Sequence, residues 1–197
     1  MTQVGFLVDG FNLYHSILRI ERDMDYCTKW LNINTLCKSY LHLLGKQAKL
    51  QSIHYFTALP HYLTPKHPEK VNRHKIYLKC LSTTGIEIHI GRFKEKTIYC
   101  KNCRTWMLRH EEKETDVAIG VTLMELFFKK LCDAIVIVTG DTDLLPAAER
   151  CQSLFPDKQV LFAFPYARKN KELQKKSCPF ARAGFIIFII DYLLQFS

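Results

Sequence analysis

Four uninterrupted apolar runs, residues 4–8, 134–138, 160–164 and 185–189, constrain the fold of this chain more than any other feature. Each has the length of a strand and does not alternate between apolar and polar side chains, so each needs cover on both faces. The longest, 185–190 continued by 192–194, is broken by Asp191 and falls far short of the roughly 20 apolar residues that a membrane helix requires. A last buried strand is expected there.

Between these runs, apolar residues recur at helical spacing. Residues 12–20 and 33–44 read as helices, the second through Ile33, Leu36, Cys37, Tyr40, Leu41 and Leu44, with Asn32 or Asn34 as its cap and Gly45 as its stop. Residues 69–81 predict a third, displaying Val71, Ile76, Leu78 and Cys80, and a largely buried fourth runs from Thr115 to about Lys130 through Val117, Ile119, Val121 and Leu123. A fifth begins near Leu144. Residues 50–57 and 86–90 read as further strands, and 60–68 as a loop. The expected fold class is α/β: an open, mostly parallel, twisted sheet with helices on both faces and right-handed crossovers. A single domain over residues 1–197 is expected, with a small basic hairpin insertion at about 92–110 carrying Cys100 and Cys103.

In such sheets ligands bind beyond the carboxyl ends of the strands. Asp9 ends the first apolar run, Asp141 and Asp143 follow the run 134–138, and Asp116 lies in the first turn of the fourth helix. One aspartate in such a place is ordinary, since Asp caps helices and fills turns. Carboxylates converging in one partly desolvated pocket repel one another and call for a cation. Oxygen-only ligation suits Mg2+ or Mn2+, and the chemistry it supports is phosphodiester hydrolysis.

Three segments carry a family resemblance: Asp9-Gly-Phe-Asn-Leu-Tyr after a strand, Glu114-Thr-Asp116 opening a helix, and Thr139-Gly-Asp-Thr-Asp143 after another strand. In this order they resemble the NYN domain of bacterial LabA-like proteins, within the PIN-like superfamily. The resemblance implies a PIN-like fold and a divalent-metal ribonuclease site, with Asp9 as the central metal ligand, Asp116 and Asp141 as further ligands and Asp143 as the fourth acidic member. Asn12 and Thr139 would position the site or a phosphate oxygen. Asn12 can equally cap the first helix, and Thr139 can satisfy a backbone group at its turn. Lys113 and Glu114 either touch phosphate and tune Asp116 or are solvated charges beside a helix start.

A net charge of +9 favours a polyanionic partner, here RNA, single-stranded or structured. In the insertion Arg92, Lys94, Lys96, Lys101, Arg104 and Arg109 interleave with Phe93, Tyr99 and Trp106, a mixture suited to phosphate contacts and base stacking. A second basic stretch, Arg168, Lys169, Lys171, Lys175 and Lys176, is a further substrate-binding candidate. Cys100-Lys-Asn-Cys103 has the spacing of half a structural zinc site, which would need His110 plus a distant residue such as His74 or Cys80, or a partner chain, to complete it. The other cysteines are expected as buried, reduced thiols.

With no basic segment leading into a long apolar stretch at the start, the chain reads as cytoplasmic, with no membrane partner. A homodimer joined through the insertion is compatible with the sequence. The alternative to a ribonuclease is a nucleic-acid-binding or regulatory module without useful catalysis. A haloacid dehalogenase-like phosphatase is excluded, because its second aspartate would stand where this chain has Phe11.

Overall fold

The computed structural model describes residues 1–25, 29–168 and 187–188. A seven-stranded sheet runs through it in the order β4-β3-β2-β1-β5-β6-β7. The strands are β1 (Thr2–Asp9), β2 (Ala48–Ala58), β3 (Glu87–Cys100), β4 (Thr105–Lys113), β5 (Ala134–Val138), β6 (Gln159–Phe164) and β7 (Ile187–Phe188). All neighbours pair in parallel except β3 and β4, which form an antiparallel ribbon. The helices are α1 (Gly10–Met24), α2 (Ile33–Ser39), α3 (Pro68–Thr83), α4 (Thr115–Phe128) and α5 (Leu145–Leu154). This is the mostly parallel α/β fold expected of a PIN-like domain. None of the described helices is long and apolar enough to cross a membrane.

The apolar runs behave as their composition demands. In β1, Phe6 and Val8 point into a cluster with Leu13 and Ile17 of α1, Leu36 of α2 and Leu81 of α3. Leu7, one residue along, points the other way, toward Ile119 and Leu123 of α4 and Ala148 of α5. Successive side chains of a strand face opposite sides, so one sheet has two cores. Burying each such large side chain contributes about 1.5–3 kcal/mol. Of the run 185–189 only Ile187 and Phe188 lie within the described residues, as the strand paired with Ala163 and Phe164.

Several elements differ from expectation. The helix expected over 33–44 stops at Ser39 and continues as a 3-10 turn at Leu41–Leu44, where the Ser39 hydroxyl donates back to the Leu36 carbonyl at 2.7 Å and competes with the helical ladder. Asn32 is its cap, accepting from the Thr35 amide at 3.1 Å. In α3 the inward stripe is Val71, His74, Leu78 and Leu81; Ile76 and Cys80 are on the outside. In α4, Ile119, Leu123, Leu126 and Phe127 are buried, whereas Val117 and Val121 are exposed, because a helix lying on a sheet buries only one face. The two short strand segments expected in the insertion belong to longer strands, and β3 begins inside the parallel sheet before leaving it as the ribbon.

Cys37, Cys132 and Cys151 are buried, and burial raises each thiol, the last two to about 11. Cys27 and Cys178 lie outside the described residues.

Candidate active site

The strand order reverses between β1 and β5, so the loops leaving these two strands diverge and leave a crevice between them. Asp9 closes β1 and caps α1: its Oδ1 accepts from the Asn12 amide at 3.0 Å. Its Oδ2 accepts from the Thr139 hydroxyl at 2.9 Å, across 130 residues of sequence. Thr139 in turn accepts from the Asp141 amide at 3.1 Å, and Asn12 Oδ1 accepts from the Gly140 amide at 3.1 Å. Asn12 is therefore not the helix cap; Asp9 is, and the Asn12 side chain ties the start of α1 to the turn after β5. That turn tolerates no side chain at Gly140, where a Cβ would stand 2.1 Å from the Arg168 carbonyl oxygen. Gly10 is constrained likewise: a Cβ there would lie 2.6 Å from the Phe56 carbonyl oxygen.

Asp141 starts a 3-10 turn at Thr142–Leu144 by accepting from the Asp143 amide at 3.0 Å. Asp116 enters from the other side, in the first turn of α4. Asp116, Asp141 and Asp143 each offer an oxygen within 4.8 Å of the others. Asp9, the central ligand by family resemblance, stands outside that group of three. It is buried, with each of its two oxygens already accepting one hydrogen bond.

The electrostatics of the group favour a positive charge. Burial raises the Asp9 carboxyl above its ordinary range despite the hydrogen bonds from Asn12 and Thr139 that oppose the shift. Burial also raises Asp116, reinforced by Asp9, Asp141 and Asp143. A fifth acidic residue, Glu112 at the end of β4, joins them and was not expected from the sequence. Burial pushes it up to about 7, reinforced by Asp9 and Asp116, although the Thr115 hydroxyl donates to it. Mutually repelling, oxygen-only groups of this kind fit a hard divalent cation such as Mg2+ or Mn2+.

The other candidates are dispersed. Arg168 lies against Gly140 and acts electrostatically on His15 of α1, as does Asp9, which places both side chains near the acidic group. Lys113 pairs with Glu111 at 3.2 Å, and Arg92 with Glu114 at 2.6 Å. Arg104 sits in the turn at the tip of the ribbon, beyond the Cys100–Thr105 pair that stands eight register steps, or roughly 26 Å at strand spacing, from Arg92. Lys169, Lys171, Lys175 and Lys176 lie outside the described residues.

The ribbon also separates what the sequence interleaves. Lys94, Lys96 and Arg109 share one face, whereas Phe93, Tyr99, Trp106, His110 and Glu112 share the other. At its base the Tyr62 ring stacks on His110 and meets Phe93, which contacts Phe11.

Among the described residues of one chain, His110, His74 and Cys80 do not join Cys100 and Cys103 in a zinc arrangement. His110 pairs with Glu95, five register steps and roughly 17 Å from Cys100, because a continuous antiparallel ribbon holds them apart. His74 instead meets Thr57, and Cys80 is on the outside of α3. Among the described residues no third ligand-bearing side chain lies with the two thiols. Hydrogen bonds from Thr105 and Cys100 hold the Cys103 thiol below its ordinary range.

No curated protein matches the chain. Among solved structures, a protein of unknown function from Vibrio parahaemolyticus shares the fold, with a TM-score of 0.57 at 16% identity over 95% of this chain and 93% of its own. The family model that matches is the NYN domain, over residues 3–180. With that match spanning most of its length, the chain belongs to the NYN domain family, a PIN-like family of nucleases.

Proposed function

We propose that this protein is a metal-dependent ribonuclease of the LabA-like kind, one domain that hydrolyses RNA phosphodiester bonds at the acidic group. The observation that carries the reading is the meeting of Asp116, Asp141 and Asp143 above the buried Asp9, where the strand order reverses, in a chain of a nuclease family.

Asp116, Asp141 and Asp143 would hold Mg2+ or Mn2+, and Asp9 has lone pairs to spare for the same ion, since a carboxylate offers about four acceptor positions. Such an ion supplies the Lewis acidity that activates water and offsets charge on the leaving oxygen. Thr139 and Asn12 orient Asp9 and the turn that carries Asp141. In the metal-free protein burial, with Asp9 and Asp116, pushes Glu112 up to about 7; a bound cation would lower it and leave a carboxylate to take a proton from water. Arg168 and His15, close to each other and to the turn after β5, would contact a phosphate oxygen. The aromatic face of the ribbon, with Tyr99 and Trp106 exposed, leads back to Glu112 and offers stacking surface for unpaired bases.

The exposed aromatic ribbon equally supports the second reading, a module that binds RNA without cutting it. One experiment separates the two. The protein is incubated with single-stranded RNA and Mg2+ or Mn2+, with and without EDTA, beside Asp141→Asn. A nuclease gives cleavage products that EDTA abolishes and that the variant reduces at least about a hundred-fold, with RNA affinity retained. Binding with no metal-dependent product at any pH overturns the catalytic reading.

A further inference from the structure

Away from the acidic group, β2 and β3 bring together His54, Glu87 and His89. His54 stands opposite Glu87 in the parallel register, and His89 follows two residues along β3 on the same face. His54 Nδ1 lies 3.1 Å from His89 Nε2 and 3.5 Å from a Glu87 oxygen, and His89 Nε2 lies 3.6 Å from the other. A tetrahedral zinc ion with bonds of about 2.0–2.1 Å separates its ligand atoms by about 3.3 Å, close to the ring–ring spacing and to the spacing of each ring from its nearer Glu87 oxygen, and one atom from each residue lies within 4.8 Å of the other two.

The rings are held for the purpose. His54 is buried, and its second nitrogen, Nε2, meets the Ser52 hydroxyl at 3.1 Å; with the proton on Nε2 and the hydroxyl accepting it, Nδ1 keeps the lone pair a metal needs. Burial holds His54 below its ordinary range, in the neutral form a metal ligand needs. His89 stacks on the Phe56 ring at 4.5 Å. Glu125 of α4 interacts electrostatically with both rings. The open side of the group faces solvent through Glu87, which is 65% exposed.

We propose that His54, Glu87 and His89 form a second metal site, for Zn2+ or a similar imidazole-preferring transition ion, which clamps β3 to β2 where the ribbon leaves the sheet. Its donor set differs from the carboxylates of the acidic group, so the two sites select different metals.

The test is titration of the metal-free chain with ZnCl2 by calorimetry, with CoCl2 in place of zinc for visible absorption, and thermal unfolding with and without zinc. The variants are Glu87→Gln, His89→Gln, Asp116→Asn, and Cys100→Ser combined with Cys103→Ser. The proposal expects one zinc ion to raise the unfolding midpoint, and cobalt to show the absorption of a four- or five-coordinate ion with nitrogen ligands. Glu87→Gln and His89→Gln should each weaken zinc at least about a hundred-fold, since residues that merely orient ligands already cost 10–100-fold. The Asp116 and cysteine variants should retain it. If His89→Gln does not fold, the exposed Glu87→Gln carries the test. Absence of zinc binding, or binding lost only in the Asp116 or cysteine variants, overturns the proposal. A simple His54–His89 hydrogen bond would give that result.

Discussion

Thr139 makes two hydrogen bonds in opposite senses, donating to Asp9 and accepting from the Asp141 amide, and so sets the spacing between two acidic residues 132 positions apart in sequence. Valine has the same shape and neither bond. Thr139→Val should leave the fold intact and weaken Mg2+ binding and cleavage 10–100-fold, as the loss of a ligand-orienting group does, and Thr139→Ser should restore most of it. Metal titration and cleavage rates check both variants. Glu112 supports a different prediction. Its folded pKa of about 7 lies above the ordinary 4.5, so its contribution to stability is complete below 4.5 and is lost as pH rises through about 7. Without divalent ions, thermal stability should fall over that window, and Glu112→Gln should flatten the fall. An unchanged pH profile in the variant would show that the buried charge lies elsewhere.

Among the elements, the ribbon of β3 and β4 carries exposed aromatic side chains: Trp106 is 71% exposed and Tyr99 47%. Their rings lie 5.2 Å apart on the aromatic face, clear of the sheet's two cores. Trp106→Ala should therefore leave thermal stability unchanged and weaken single-stranded RNA binding by about 1–3 kcal/mol, the cost of one lost base–aromatic stack. Because the contact is remote from the acidic group, it should raise KM and leave kcat alone, which steady-state kinetics on a short RNA would show. α4 illustrates how an element's surroundings override its composition. Its apolar residues run nearly all round, yet only the side over Leu7 and Ile137 is buried, and Val117 and Val121 remain outside.

For the whole molecule, a net charge of +9 coexists with an acidic crevice, so affinity for RNA must come from basic side chains away from the reacting group. Counterion release then makes binding strongly salt-dependent: raising monovalent salt from about 50 to 200 mM should weaken RNA binding at least tenfold in metal-free protein, measured by fluorescence anisotropy. The layered architecture was legible because continuous apolar strands and one-faced helices leave few ways to bury both. Asp9, Asp141 and Asp143 were legible with it, since they follow strands whose ends any parallel sheet gathers on one side. Glu112 was hidden in the charged stretch Glu111-Glu112-Lys113-Glu114, and only the ribbon's register, which alternates its faces, turns it toward Asp9 and Asp116. The same holds for His54, Glu87 and His89: as letters they are two polar positions in one strand and one in another. Hydropathy and turn chemistry are local, so the sequence by itself determined the strands, the helices and the residues at their ends. Which side chains share a face across neighbouring strands depends on pairing register between distant segments, and that only the tertiary structure decided.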